Sequence, residues 1–166
     1  MIGLGSTALI WSLLVNISYV RRHWKDAGII CAPAGIIAAT NPGYSKGTRA
    51  TLTTDRMPGM KGAPTTVVGA YDTVAYAVDY IPTDGGDKVT DHKWVVQQEL
   101  KDAGSERLME GTEVTIEADH VPGMKGAKGT VVSSTTQIVY MVDYQADGMT
   151  IKNHKWVVED EITPRA

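Results

Sequence analysis

The chain has a single cysteine, Cys31, and no phenylalanine among its 166 residues. A lone thiol excludes internal disulfides and any zinc site built from cysteines. No run of five basic residues occurs, and 16 Lys and Arg against 19 Asp and Glu leave a net charge of −3. That balance speaks against a protein that binds nucleic acid by neutralising phosphates. Also missing are G-x-S-x-G, a P-loop and H-E-x-x-H. With no nucleophile and base in view, the sequence reads as that of no enzyme, with no catalytic residue and no organic cofactor. At 43% hydrophobic and 21% charged residues, the chain is too apolar for a disordered polymer and too polar for a polytopic membrane protein.

What is present is a repeat. The stretch KGTRATLTTDRMPGMKGAPTTVVGAYDTVAYAVDY begins at Lys46, and EGTEVTIEADHVPGMKGAKGTVVSSTTQIVYMVDY begins at Glu110, 64 residues later, with 17 of 35 positions identical. After a turn of different length, both copies reach HKWVV. The organisation is then an N-terminal segment at 1–45, repeat one at 46–100, a polar linker at 101–109 and repeat two at 110–162. Each copy is near the lower limit for an independent core. Close packing, contact between the copies or a bound metal must supply what disulfides do not.

Inside each copy the hydrophobic period is two. Ala50 and Leu52 alternate with polar neighbours, as do Val114 and Ile116. Tyr76, Val78 and Tyr80 share a face, as do Tyr140, Val142 and Tyr144. Glycine-containing turns, PGMKG and DGGD, punctuate the strands. This pattern predicts an all-β protein of two tandem small SH3-like β-barrel repeats, preceded by an apolar N-terminal segment. Asp79 and Asp143, facing away from the tyrosines, are expected to pair with Lys93 and Lys155.

The motifs D-H-x-P-G-M-K-G-A, Y-x-V-D-Y and N-H-K-W-V-V-E-D-E-I together resemble those of the YdhK-like family of bacterial envelope proteins. The resemblance covers roughly residues 46–162, and copy two matches more fully than copy one, where Arg56, Met57 and Asp91 replace His120, Val121 and Asn153. It implies a tandem unit on the outer side of the cell membrane, in a family some of whose members bind copper and are linked with copper resistance.

The turns carry the candidate ligands. Met57 and Met60 flank Pro58-Gly59, and His120 and Met124 bracket the matching turn. A Pro-Gly pair favours a type II turn, which brings its flanks within about 7 Å. With His92 and His154 from the HKW strands, each half gains a set of thioether and imidazole donors. Such soft donors without thiolate suit Cu(I) and suit zinc poorly. A competing reading stands beside this one. Methionine at a Pro-Gly turn is often a core plug, and His92 and His154 share a strand face with Trp94 and Trp156.

Residues 1–20 carry no charge and are followed by Arg21-Arg22-His23-Trp24-Lys25. Twenty residues just span a bilayer as a helix, yet the basic cluster lies on the wrong side for an exported protein. Gly28-Ile29-Ile30 before Cys31 fits a lipidation signal poorly. The segment is read as an atypical anchor, a leader or a mis-assigned start, and is set outside the fold. The expected function is a membrane-associated, extracytoplasmic protein of the cell envelope that sequesters Cu(I) in copper tolerance, with the metal ion, the membrane and a copper-handling protein as partners. The alternative is a non-catalytic tandem SH3-like module that binds cell wall or a protein through Tyr80 and Tyr144.

Overall fold

The structure is a computed structural model, and it describes residues 31–165. Both copies lay down the same series of elements, as their shared alternation requires. A two-residue strand, β1 (Ile37–Ala38), precedes them. Copy one gives β2 (Arg49–Leu52), β3 (Pro64–Asp72), β4 (Ala75–Ile81) and β5 (Val89–Val96), then a 3₁₀ turn at Gln97–Glu99. Copy two gives β6 (Glu113–Thr115), β7 (Lys128–Thr135), β8 (Val139–Ala146) and β9 (Met149–Val158), a 3₁₀ turn at Glu159–Glu161, and β10 (Ile162–Pro164). The protein is all-β, as its periodicity implies.

The pairing crosses between the copies. One sheet runs β10-β2-β3-β8-β9, with β1 on β3, and the other runs β5-β4-β7-β6. Each sheet thus joins the first half of one repeat to the second half of the other. Both curl back on themselves. β10 pairs with β2 through Ile162 opposite Leu52, and at the equivalent place a bridge joins Leu100 to Ile116. Two small barrels result, each built from both copies, so neither 46–100 nor 110–162 closes a barrel alone.

Local chemistry accounts for the exchange. A tight two-residue hairpin between β3 and β4 needs residues that accept positive φ. The connection is Thr73-Val74, two β-branched residues that resist it, and between β7 and β8 stands Thr136-Gln137-Ile138. The chain therefore runs on into the neighbouring barrel. Because β8 nearly repeats β4 in sequence, β3 finds on β8 the partner that β4 would have been, with Tyr71 opposite Val139 and Thr65 opposite Tyr144.

This topology buries both faces of the middle strands. In β4, Tyr76, Val78 and Tyr80 enter a core with Val95, Ile116, Met124 and Val131. Ala75 faces the other way into a second cluster with Val96, Val139, Met141, Trp156 and Val158, which draws on both sheets and fills the seam between the barrels. Part of the N-terminal segment also belongs here, which moves the boundary drawn at residue 45. β1 extends the first sheet, Tyr44 Oη donates to the Ile162 carbonyl at 3.1 Å, and the Tyr44 ring packs edge-on against Tyr140. The charge-free run that suggests an anchor lies outside the described residues. Among the described residues no helix is long and apolar enough to cross a membrane.

The recurring aspartates have a different partner from the expected one. Asp79 meets Lys88 at 3.0 Å and Asp143 meets Lys152 at 2.7 Å, not Lys93 and Lys155. Their other oxygens accept the backbone N–H of Asp91 (2.9 Å) and Asn153 (2.8 Å), each held at φ 51°. A short polar residue is what such a left-handed position tolerates, and the aspartate opposite fixes it.

Repeat two alone, residues 110–165, is expected to form a strand-exchanged dimer at micromolar concentration, because its own halves lie in different barrels. Light scattering coupled to size exclusion should give twice the mass of the repeat. A folded monomer with the same strand pairing would show that the exchange is not intrinsic to the unit.

Candidate functional site

Each copy ends in V-V-x-x-E, and the tightness of the 3₁₀ turn folds that glutamate back over the strand end. Glu99 Oε2 accepts the N–H of Val96 at 3.2 Å, and Glu161 Oε2 accepts that of Val158 at 3.1 Å. The same oxygens take an indole proton from the other barrel. Trp156 Nε1 donates to Glu99 at 2.8 Å, and Trp94 Nε1 donates to Glu161 at 3.1 Å. Two equivalent clasps therefore bridge the seam, one from each side.

A third group completes each clasp, and here the halves differ. His120 Nε2 lies 2.9 Å from Glu99 Oε1. At the matching position Arg56 Nη2 lies 3.1 Å from Glu161 Oε2 and also donates to the Trp156 carbonyl at 2.8 Å. The carboxyl of Glu99 is only 5% exposed. Burial pushes its pKa up, but His120, the Trp156 N–H and Lys155, whose Nζ is 3.7 Å away, together bring it below the usual range. An ionised carboxylate only accepts, so the Nε2 of His120 must be the donor. In the neutral ring, Nδ1 then carries the lone pair. That atom is buried and has no hydrogen-bond partner, and Arg56 Nη1 is in the same condition.

His92 and His154 flank this centre. The His92 ring stands 5.8 Å from Tyr80, edge-on, and 6.3 Å from the ring of His120. His154 packs edge-on against Tyr144 at 5.4 Å. Burial, then the charges of His120 and Arg56, lower the pKa of His92 to about 4 despite the pull of Glu99. Burial, then Arg56, His120 and His92, lower that of His154 to about 3. Both rings are neutral near pH 7.

The methionines divide. Met57 reaches this region, its sulfur accepting from Tyr144 Oη at 3.7 Å. Met60 and Met124 are interior. Both are 0% exposed, and Met124 packs in the barrel core with Tyr76 and Ile116. The turn itself accounts for this placement, which is not the open turn expected of ligands. Gly59 at φ 74° and Gly123 at φ 73° take the third position of a type II turn, and the following methionine is carried inward as a plug. Tyr80 and Tyr144 are likewise interior, at 2% and 1% exposure, rather than at an open barrel mouth. Among the described residues no three His, Cys, Asp or Glu side chains are placed to hold one ion together. Sequence reading missed Arg56, Glu99 and Glu161. The signal was the acidic residue closing V-V-x-x-E in both copies.

The histidines tie stability to pH. Their pKa values fall on folding, so between about 6.5 and 3 the unfolded chain binds more protons and stability rises with pH. Their contribution is complete above about pH 6.5 and is lost as pH falls through 4 and then 3, with Glu99 adding to the loss at the acid end. Melting temperature should drop by several degrees from pH 7 to pH 4, and His154→Gln should flatten that decline in calorimetry.

The family described as a protein of unknown function (DUF1541) matches residues 46–97 and 110–159, one match per repeat. The uncharacterized protein YdhK of Bacillus subtilis (strain 168) is 48% identical over 150 residues, which cover 89% of this chain and 73% of that one. Its crystal structure matches with a TM-score of 0.81, covering 84% of this chain and 96% of the other at 48% identity. A solution structure of the ydhK C-terminal domain matches at 0.69 and 51% identity, covering 72% and 92%. With both repeats matched and a relative this similar along most of its length, the chain belongs to the DUF1541 family.

Proposed function

We propose that this protein binds monovalent copper at the seam between its barrels, through the imidazoles of His92 and His120. The observation that carries the reading is the Nδ1 of His120, buried and unpartnered while Glu99 fixes the opposite ring nitrogen. A carboxylate on the far side of a histidine is the usual support for a metal-ligating ring, since it sets the tautomer and raises basicity. Two imidazoles sharing an ion through bonds of about 2 Å have ring centres about 6 Å apart, and these stand at 6.3 Å. Two imidazoles are fewer than the four ligands that zinc takes. They match Cu(I), which is content with few, soft donors.

The role that fits is sequestration or transfer of copper in the cell envelope, which the repeat's resemblance to envelope proteins implies. The alternative, a module that docks cell wall on barrel-mouth tyrosines, draws no support from Tyr80 and Tyr144, which are interior.

Titration of the full chain with Cu(I) under reducing conditions, against a chromogenic chelator of moderate affinity, tests the reading. His120→Ala and His92→Ala should each weaken binding at least tenfold. Glu99→Gln should weaken it by about 10–100-fold as the loss of an outer-shell partner. Met60→Leu and Met124→Leu should leave binding unchanged and cost less than about 1.5 kcal/mol of stability. Failure of the native chain to compete, or undiminished binding by the histidine variants, refutes it.

A further inference from the structure

The two clasps are equivalent positions of a duplicated unit, yet they end in different groups. His120 on Glu99 faces His92 in one barrel, and in the other Arg56 on Glu161 stands near His154. We infer that the seam holds one ion and not two, because Arg56 closes the second half-site with a permanent positive charge in the place of a ligand. This rests on the copper reading above and assigns its stoichiometry and its sidedness.

The chemistry of the substitution is one-directional. A neutral imidazole fixed through one nitrogen still offers a lone pair at the other, whereas a guanidinium offers donors only and does not deprotonate. Arg56 is also anchored twice, to Glu161 at 3.1 Å and to the Trp156 carbonyl at 2.8 Å. Swinging it aside would leave the half-buried Glu161 carboxylate without its counter-charge.

The remaining donors of this half are also committed. The Met57 sulfur accepts from Tyr144 Oη, and Tyr144 packs on His154. Residues that look like a Met/His pair in the sequence are therefore held in a closed, positively charged corner. The ion sits on the side of His92 and His120.

Arg56→His rebuilds on Glu161 the arrangement that His120 makes on Glu99, so it should open the second half-site. The probe is Ag(I), a redox-inert stand-in for Cu(I), counted by native mass spectrometry on the full chain. The native protein should bind one ion, Arg56→His two, and the double variant Arg56→His with His154→Ala one. In the native background, His154→Ala should keep the ion and His92→Ala should lose it. A native chain that binds no ion overturns the copper reading itself. Overturning of the single-site inference has its own signatures: two ions in the native chain, one ion in an Arg56→His variant of unchanged melting temperature, or loss of the native ion in His154→Ala. Should Arg56→His fail to fold, the native count and the His154→Ala and His92→Ala pair decide the matter alone.

Discussion

Two indole protons, each donated across the seam to a glutamate on the opposite barrel, are the interaction on which the rest of this molecule depends. Neither carboxylate is left to its indole alone. Each also receives a backbone N–H at the start of its 3₁₀ turn and a cation or imidazole from a Pro-Gly turn. A buried carboxylate is costly unless its oxygens are filled, and here the filling groups come from three separate segments. The clasps consequently fix the strand ends, the turn and the relative placement of His92, His120 and His154 in one stroke. Breaking one would expose a charge in a dry place and loosen all three.

The exchange of strands supplies the scaffold for those clasps. Because each barrel takes half of each copy, the HKW strand of one repeat lies beside the 3₁₀ turn of the other, and its tryptophan reaches across without a long side-chain excursion. The apolar cluster of Ala75, Val96, Val139, Met141, Trp156 and Val158 excludes water from the same region. Burial there does two kinds of work. It strengthens the clasp hydrogen bonds through a lower local dielectric, and it keeps His92 and His154 neutral.

Much of the strand framework was legible in the sequence, and the reason is the period-two alternation around Tyr76, Val78 and Tyr80 and its repetition 64 residues on. Alternation states which face a residue takes and nothing about which strand lies alongside. Two copies with the same alternation leave that ambiguity open, so the exchange between β3 and β8 could not be read. The histidines were legible as a group, since His92 and His154 recur with a tryptophan two residues on. The burial of Met60 and Met124 could not be read, because spacing across a Pro-Gly turn does not reveal which flank the turn sends inward. Arg56 and Glu99 were silent for another reason. Their partners belong to distant stretches of chain, Glu161 for Arg56 and His120 and Trp156 for Glu99, and no local pattern records a contact made between copies.

The interleaving has an evolutionary corollary. In an ordinary tandem array one unit can decay while its neighbour keeps the function, as gene duplicates commonly do. Here a damaging change in either unit disturbs both barrels, so selection acts on the pair as one heritable whole and redundancy is lost at the moment of fusion. The arginine and histidine at the two ends of the seam are then one shared device with unlike halves, in which neither repeat keeps a spare part.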